Sequence, residues 1–136
     1  MIVRDAAVGD AARLAELIAL LGHEVTVEGV AARLSRVHPP QLVAEVGGRV
    51  VGLCGLAVTE HLHRETPVGR ITILVVDAEV RGRGVGRRLV EEAERRLAAL
   101  GCAMVEVTSN HRLTEAHAFY ARLGYDQPSL RFAKPL

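Results

Sequence analysis

Arg81-Gly82-Arg83-Gly84-Val85-Gly86 follows the apolar run Ile71-Thr72-Ile73-Leu74-Val75-Val76 and leads into Arg87-Arg88-Leu89-Val90. Gly69 to Asp77 is apolar almost throughout, as a central strand covered on both faces should be. Downstream, Val85, Leu89, Ala93, Leu97 and Leu100 recur at three- and four-residue spacing, with Glu91, Glu92, Glu94, Arg95 and Arg96 elsewhere on the helix. The quoted stretch is therefore a strand-to-helix turn. Glycines at alternate positions let the backbone approach a ligand and leave amide hydrogens unobstructed, and the helix dipole adds positive potential there. Arg81, Arg83, Arg87 and Arg88 contribute charge-assisted donors, so the turn suits a pyrophosphate. The bland alternative is a glycine-rich turn with solvated arginines.

Two better-known phosphate motifs do not fit. A P-loop needs Gly-x-x-x-x-Gly-Lys-Ser/Thr, but five positions after Gly82 stand Arg87 and Arg88. A dinucleotide fingerprint needs Gly-x-Gly-x-x-Gly near the start of a βαβ unit, whereas Gly82, Gly84 and Gly86 are late in the chain and behind an antiparallel hairpin.

Working outward, that hairpin is read from Gln41–Val46 and Val50–Val58, rich in valine and leucine around Gly47-Gly48. Before it, Ile2 and Val3 begin a strand, and Asp10 is placed to cap a helix bearing Leu14, Leu17, Ile18 and Leu21 until Gly22 stops it. Thr26 caps a second helix with Val30 and Leu34 on one face, ended by Pro39-Pro40. After the long helix, Gly101 closes it, Ala103–Thr108 is a strand, Thr114–Leu123 a shorter helix ended by Gly124, and Leu130–Lys134 a last strand. Without repeats, low-complexity stretches or a linker, residues 1–136 read as one domain.

Composition narrows the function classes. Apolar residues make up 49% and charged residues 24% of the chain, an ordinary globular balance. A net charge of +1 gives no global case for nucleic acid or an anionic membrane. No apolar run approaches the roughly 18 to 20 residues that span a bilayer. Asp5 and Asp10 stand where an export signal needs an apolar stretch, and Cys54 and Cys102 sit in strand-like contexts that favour free core thiols. A cytoplasmic setting is expected.

The pattern Arg-x-x-Gly-x-Gly from Arg81, behind Val75-Val76-Asp77, resembles the acetyl-CoA signature of the Gcn5-related N-acetyltransferases. Val3-Arg4-Asp5-Ala6 with Asp10 is similar to that family's opening, and Asn110 with Ala116, Phe119, Tyr120 and Leu123-Gly124-Tyr125 is similar to its second motif. The resemblance implies an α/β (α+β) fold: a mixed, mostly antiparallel sheet of six to seven strands flanked by four helices, whose fourth and fifth strands splay around acetyl-pantetheine. It implies backbone contacts to pantetheine from Leu74, Val75 and Val76, a pyrophosphate cradle from Arg81, Gly82, Arg83, Gly84, Val85, Gly86 and Arg87, and contacts to the same ligand from Asn110 and Phe119. Tyr120 matches the family's general acid. Acetyl-CoA is then a co-substrate, with no tightly bound cofactor, and the acceptor a small amine.

Acetyl transfer to an amine needs a neutral amine, a polarised thioester carbonyl and a proton for the departing thiolate. A tyrosine with an ordinary pKa near 10 can supply that proton if positioned, because thiols titrate near 8.5. Tyr120 is alternatively a core aromatic beside Phe119. A general base is harder to name, since Arg70-Ile71-Thr72-Ile73-Leu74 contains no carboxylate where many family members carry one. His61 and His63, two apart in an extended segment, would face one way as a base, an anion contact or metal ligands, or else stand as solvated histidines; no metal site is assigned. His111 and His117 read as surface residues. From Gly52 to Leu136, including Glu60-His61-Leu62-His63 and Arg131-Phe132-Ala133-Lys134, the chain also resembles the aminoalkylphosphonate N-acetyltransferase subgroup, although Ile73 stands where that subgroup tends to have an acid. A CoA-binding module without transfer is the competing expectation. An exposed last strand would also suit a homodimer.

Overall fold

A computed structural model of the chain describes residues 1–110 and 112–136, so His111 lies outside it. By internal contacts the chain divides into two compact units, residues 1–106 and 107–136. The element order is β1 (Ile2–Asp5), α1 (Ala11–Ala19), α2 (Val27–Leu34), β2 (Leu42–Val46), β3 (Arg49–Thr59), β4 (Val68–Val76), α3 (Val85–Ala99), β5 (Met104–Val107) and α4 (Thr114–Arg122), with short 3-10 turns at Val8–Asp10 and Ala78–Val80.

The strands form one sheet in sequence order, β1-β2-β3-β4-β5. β1, β2, β3 and β4 pair antiparallel, and β5 joins β4 after the α3 crossover, the connection that parallel neighbours require. Two helices cover one face: Ala11, Leu14 and Leu17 of α1 and Val30 of α2 pack with Val43, Val50, Leu53 and Val75. α3 covers the other, burying Val85, Leu89, Val90, Ala93 and Leu97. Its approach is close because Gly52 and Gly69 have no side chains. A Cβ on Gly52 would stand 2.9 Å from Leu89 Cδ1, and one on Gly69 2.9 Å from Leu97 Cδ1.

The helix ends follow the sequence signals except at α1. Thr26 Oγ1 accepts the Gly29 amide at 2.9 Å and caps α2 as expected. α3 stops in a Schellman arrangement, the Gly101 amide donating to Ala98 O at 3.0 Å and the Cys102 amide to Leu97 O at 3.1 Å. Asp10, however, does not cap α1 with its side chain. Its carboxylate reaches back to the Ala7 amide at 2.8 Å and pairs with Arg4, because a 3-10 turn precedes the helix and puts Asp10 at that turn's end. α1 also ends at Ala19, earlier than the apolar spacing suggests, which leaves Leu21 exposed.

Two further corrections concern strands. Five strands are present among the described residues, not six or seven. The expected last strand at Leu130–Lys134 is not formed, and Leu130 and Phe132 are 72% and 89% exposed. Its alternating pattern is real, but a strand exists only when its backbone groups find a ladder partner. The strand offered as ground for a homodimer is thus missing.

Candidate active site

The turn that decided the sequence reading opens α3. Gly82 and Gly84 have φ of 78° and 82°, the left-handed region that a side chain disfavours, and a Cβ at either would meet nothing within 4 Å. Glycine is therefore required by backbone conformation, not by space. Gly84 is the N-cap residue with no side-chain cap, and its carbonyl accepts the Arg88 amide at 3.1 Å. The amides of Val85, Gly86 and Arg87 occupy the first helical turn, where no intrahelical acceptor exists. Arg81, Arg83, Arg87 and Arg88 are exposed around them. Arg81 Nε donates to Val76 O at 3.2 Å and Arg87 Nε to Glu91 at 3.0 Å. Unobstructed amides, a helix N-terminus and exposed guanidinium groups make this a fit for a pyrophosphate.

Asp77 fixes where the turn begins. Its amide donates to Val51 O at 2.8 Å, its Oδ1 accepts the Glu79 amide at 3.0 Å, and its Oδ2 is bound by Arg13 Nη2 from α1. Arg13 Nε also donates to Val50 O at 2.8 Å. The Glu79 amide and the Arg13 guanidinium hold the Asp77 carboxyl below its usual range.

Along β4 the ladder with β3 slips once: Gly55 faces Ile73, and Leu56 faces Ile71. Thr72 is the extra residue of a β-bulge. Two consequences follow. Ile71, two from Gly69, is buried on the α3 side, while Ile73 packs on the α1/α2 core instead of sharing Ile71's face. Thr72 itself is exposed in mid-strand. Gly55 makes this possible, since a Cβ there would collide with Thr72 Oγ1 and stand 2.7 Å from Ile73 Cγ2 and 2.8 Å from Gln41 Oε1. Gln41 props the same spot, its Oε1 accepting the Leu56 amide and its Nε2 donating to Leu56 O, both at 3.0 Å.

Leu74, Val75 and Val76 close the strand on the turn side, Val75 being 3% exposed. β5 has four residues against nine in β4, and Glu106 of β5 lies beside Arg70 at 3.0 Å. Four residues cannot pair along all nine, so the β5 ladder leaves part of the β4 edge without a strand partner from β5.

His61 and His63 lie at the other end of β4, in the β3–β4 connection. Eight residue steps from Val68 to Val76 separate that end from the turn, about 26 Å of strand. The segment is a turn, not extended as expected: the Arg64 amide donates to His61 O at 3.2 Å. The two rings still meet edge to face, centroids 5.6 Å apart, and His61 Nε2 lies 3.1 Å from Thr59 Oγ1. Glu60, His61, Arg64, Glu65, Thr66 and Pro67 line a polar recess of ≈ 150 Å³. Among the described residues, no group of three or more His, Cys, Asp or Glu is arranged to hold a metal. Cys54 and Cys102 are free thiols, and burial pushes Cys54 up to about 12, which removes it as a nucleophile.

Within residues 107–136, Asn110 opens α4: its Oδ1 accepts the Arg112 amide at 3.0 Å, and its carbonyl accepts the Leu113 amide at 2.9 Å and meets His117 Nε2 at 2.9 Å. Phe119 and Tyr120 are half-buried with centroids 5.3 Å apart. α4 stops as α3 does, the Gly124 amide donating to Ala121 O and the Tyr125 amide to Tyr120 O at 3.0 Å. The Tyr120–Tyr125 ring contact at 5.8 Å is the apolar contact that accompanies such a stop. Tyr120 therefore has a structural task in its own helix, whatever its hydroxyl does.

Arg70 and Glu106 are the charged residues that the sequence reading passed over; the signal was a charge inside each of two otherwise apolar strands. Among the described residues, no helix is long and apolar enough to cross a membrane.

Comparison with known proteins bears on the family and the fold. The family model described as the acetyltransferase (GNAT) family matches residues 13–125. An aminoalkylphosphonate N-acetyltransferase of Salmonella typhimurium is 34% identical over 116 residues, 85% of this chain and 75% of that protein. Two solved structures superpose over nearly their full lengths. One is a Bacillus halodurans protein described as a transcriptional regulator, with TM-score 0.90, 22% identity and 99% of each chain covered. The other is glucosamine-6-phosphate N-acetyltransferase from Arabidopsis thaliana, with TM-score 0.85, 22% identity and 98% and 97% covered. At that identity the two structures speak for the fold alone.

Proposed function

The chain belongs to the acetyltransferase (GNAT) family, and from that premise we propose that it acetylates the primary amine of a small molecule carrying an anionic group, aminoalkylphosphonates being the first class to try. As a family member it is an acyltransferase, and acetyl-CoA is its co-substrate. The observation that carries the donor half of the reading is the pair of left-handed glycines, Gly82 and Gly84, at an uncapped helix start ringed by exposed arginines. The acceptor half is supported by the name of the relative that is 34% identical.

The roles follow. The amides from Gly82 to Arg87, with Arg81, Arg83 and Arg87, hold the pyrophosphate. Backbone groups of Leu74, Val75 and Val76 order the pantetheine arm along the strand edge that β5 is too short to cover, with Asn110 and Phe119 contributing further contacts. Acetyl-CoA supplies an acyl thioester, so no enzyme nucleophile is needed, in keeping with the raised Cys54 thiol. A backbone amide near Val75 stabilises the developing oxyanion. Tyr120 gives the departing thiolate its proton, and the acceptor ammonium gives up a proton by way of water toward His61 or His63, which stand at the other end of β4, too far for direct transfer.

Thiol release from acetyl-CoA, followed against a panel of amines with N-acetyl product counted by mass spectrometry, is the test. One product per thiol, fastest with an aminoalkylphosphonate, is expected. β4 does lack a carboxylate, so CoA binding without thiol release for any amine would make the chain a binding module of the same fold.

A further inference from the structure

The core under α1 and α2 occupies only part of its sheet face within residues 1–106. Their core lies over Val43, Val50, Leu53 and Val75, and Ile73 sits at its edge. Beyond Ile73, toward the β3–β4 connection, that core does not continue, although Val68, opposite Thr59 on the same face, is buried. By strand alternation this face presents Leu53, Gly55, Ala57 and Thr59 on β3. On β4 the bulge turns Thr72 out beside Gly55, and Arg70 stands opposite Ala57 in the ladder. Gly55 itself is buried under Thr72, Ile73 and Gln41, so the accessible ground starts at Thr72 and continues over the half-buried Ala57 and Arg70. That ground is polar: Thr72 is exposed, Thr59 Oγ1 lies 3.1 Å from His61 Nε2, and Arg70 Nη1 donates to Glu106 Oε1 at 3.0 Å on the neighbouring strand.

The ion pair is the unusual part. Its side chains are 31% and 46% exposed, and a pair so wet contributes little to stability. Two inner-strand positions are nonetheless given to opposite charges, side by side, next to the bulge. A guanidinium fork matches a phosphonate or carboxylate as well as it matches Glu106, and Glu106 matches an ammonium as well as it matches Arg70. A small zwitterion laid across the pair meets a complementary charge at both ends. A simple amine or a simple anion meets one complementary and one like charge, which is a basis for discrimination.

Resting on the proposed transfer to an anionic amine, we propose that Arg70 and Glu106 together read the acceptor: Arg70 binds its anionic group and Glu106 its ammonium, with the Thr72 hydroxyl beside them. This places the carboxylate that β4 lacks on β5, one strand over, and accounts for the absence of an acid at Ile73. Specificity for a zwitterion then comes from two strands in register, not from a single motif.

Calorimetry with three probes tests this on the whole chain: aminomethylphosphonate, ethylamine and methylphosphonate. The zwitterion should bind at least about tenfold tighter than either half-probe. Arg70→Gln should reduce it to the level of ethylamine, Glu106→Gln to that of methylphosphonate, and Arg70→Lys should recover part of the loss. In turnover, each Gln variant should raise the acceptor KM at least about tenfold and leave the acetyl-CoA KM unchanged. Equal affinity of the wild type for all three probes overturns the proposal. So does retained zwitterion affinity in both Gln variants, or a collapse of melting temperature, which would make the pair structural. Zwitterion binding lost in Arg70→Gln, with no thiol release from any amine by the wild type, would keep the pair and remove the transfer reading. Transfer by the wild type with an unchanged acceptor KM in Arg70→Gln would do the reverse.

Discussion

β4 has two ends built by different means. At the Val76 end, the groups proposed to bind are backbone amides at a helix start, and two glycines with positive φ hold them in place. At the Val68 end, the proposed groups are side chains from β3, β4 and β5, near a bulge at Thr72 and an ion pair between strands. A backbone site is written in consecutive residues and tolerates little change. A side-chain site is spread over residues 41 to 106 and can be rewritten one position at a time, which suits a donor common to a family and an acceptor particular to one member.

Separating the two ends experimentally gives the sharpest predictions. Tyr120→Phe belongs to neither end, and we expect the largest effect from it: kcat lower by about 100-fold or more, with CoA and acceptor affinities in place. Full activity in that variant would leave Tyr120 only its contacts to Phe119 and Tyr125. Gly84→Val should act at the turn alone. A side chain in the left-handed region costs about 1–2 kcal/mol, so CoA affinity measured by calorimetry should fall about tenfold or more while acceptor affinity is kept. Gly55→Val is the mirror experiment. Its side chain would drive into Thr72 and Gln41, so the acceptor KM should rise several-fold to about tenfold with CoA affinity unchanged; a parallel loss of both would mean that the ends are coupled through the strand.

The smallest effect is a control on the far side of α3. Hydrogen bonds from Arg95 and Arg96 pull the Glu92 carboxyl down to about 2. Its folded pKa lies below the unfolded value of roughly 4.3, so its contribution is present above that value and is lost as pH falls toward 2. Melting curves at pH 6 and pH 3 should show Glu92→Gln flattening the acid loss by less than about 1 kcal/mol, without touching either binding constant.

The same contrast governs what could be read from residues alone. The turn, the long α3 helix and the β2–β3 hairpin were legible because each is local: alternate glycines after an apolar run, a repeat of three and four, and Gly47-Gly48 between valine-rich segments. The bulge at Thr72 was not, because an extra residue is defined only against the partner strand. Neither was the Arg70–Glu106 pair, whose members are 36 residues apart. Asp10 misled as a helix cap since its carboxylate has competing partners in Ala7 and Arg4. The Leu130–Lys134 pattern misled for the converse reason, that alternation prescribes a strand but supplies no neighbour to pair with.

The claim that the Arg81–Gly86 turn holds the donor by its pyrophosphate is tested most directly by titrating the wild-type chain with CoA and with pantetheine, which shares the arm but lacks the phosphates. CoA should bind at least about a hundredfold more tightly, with the advantage shrinking as salt rises, because charge-assisted hydrogen bonds to the phosphates are screened. Equal affinities for the two, at low salt, would contradict it.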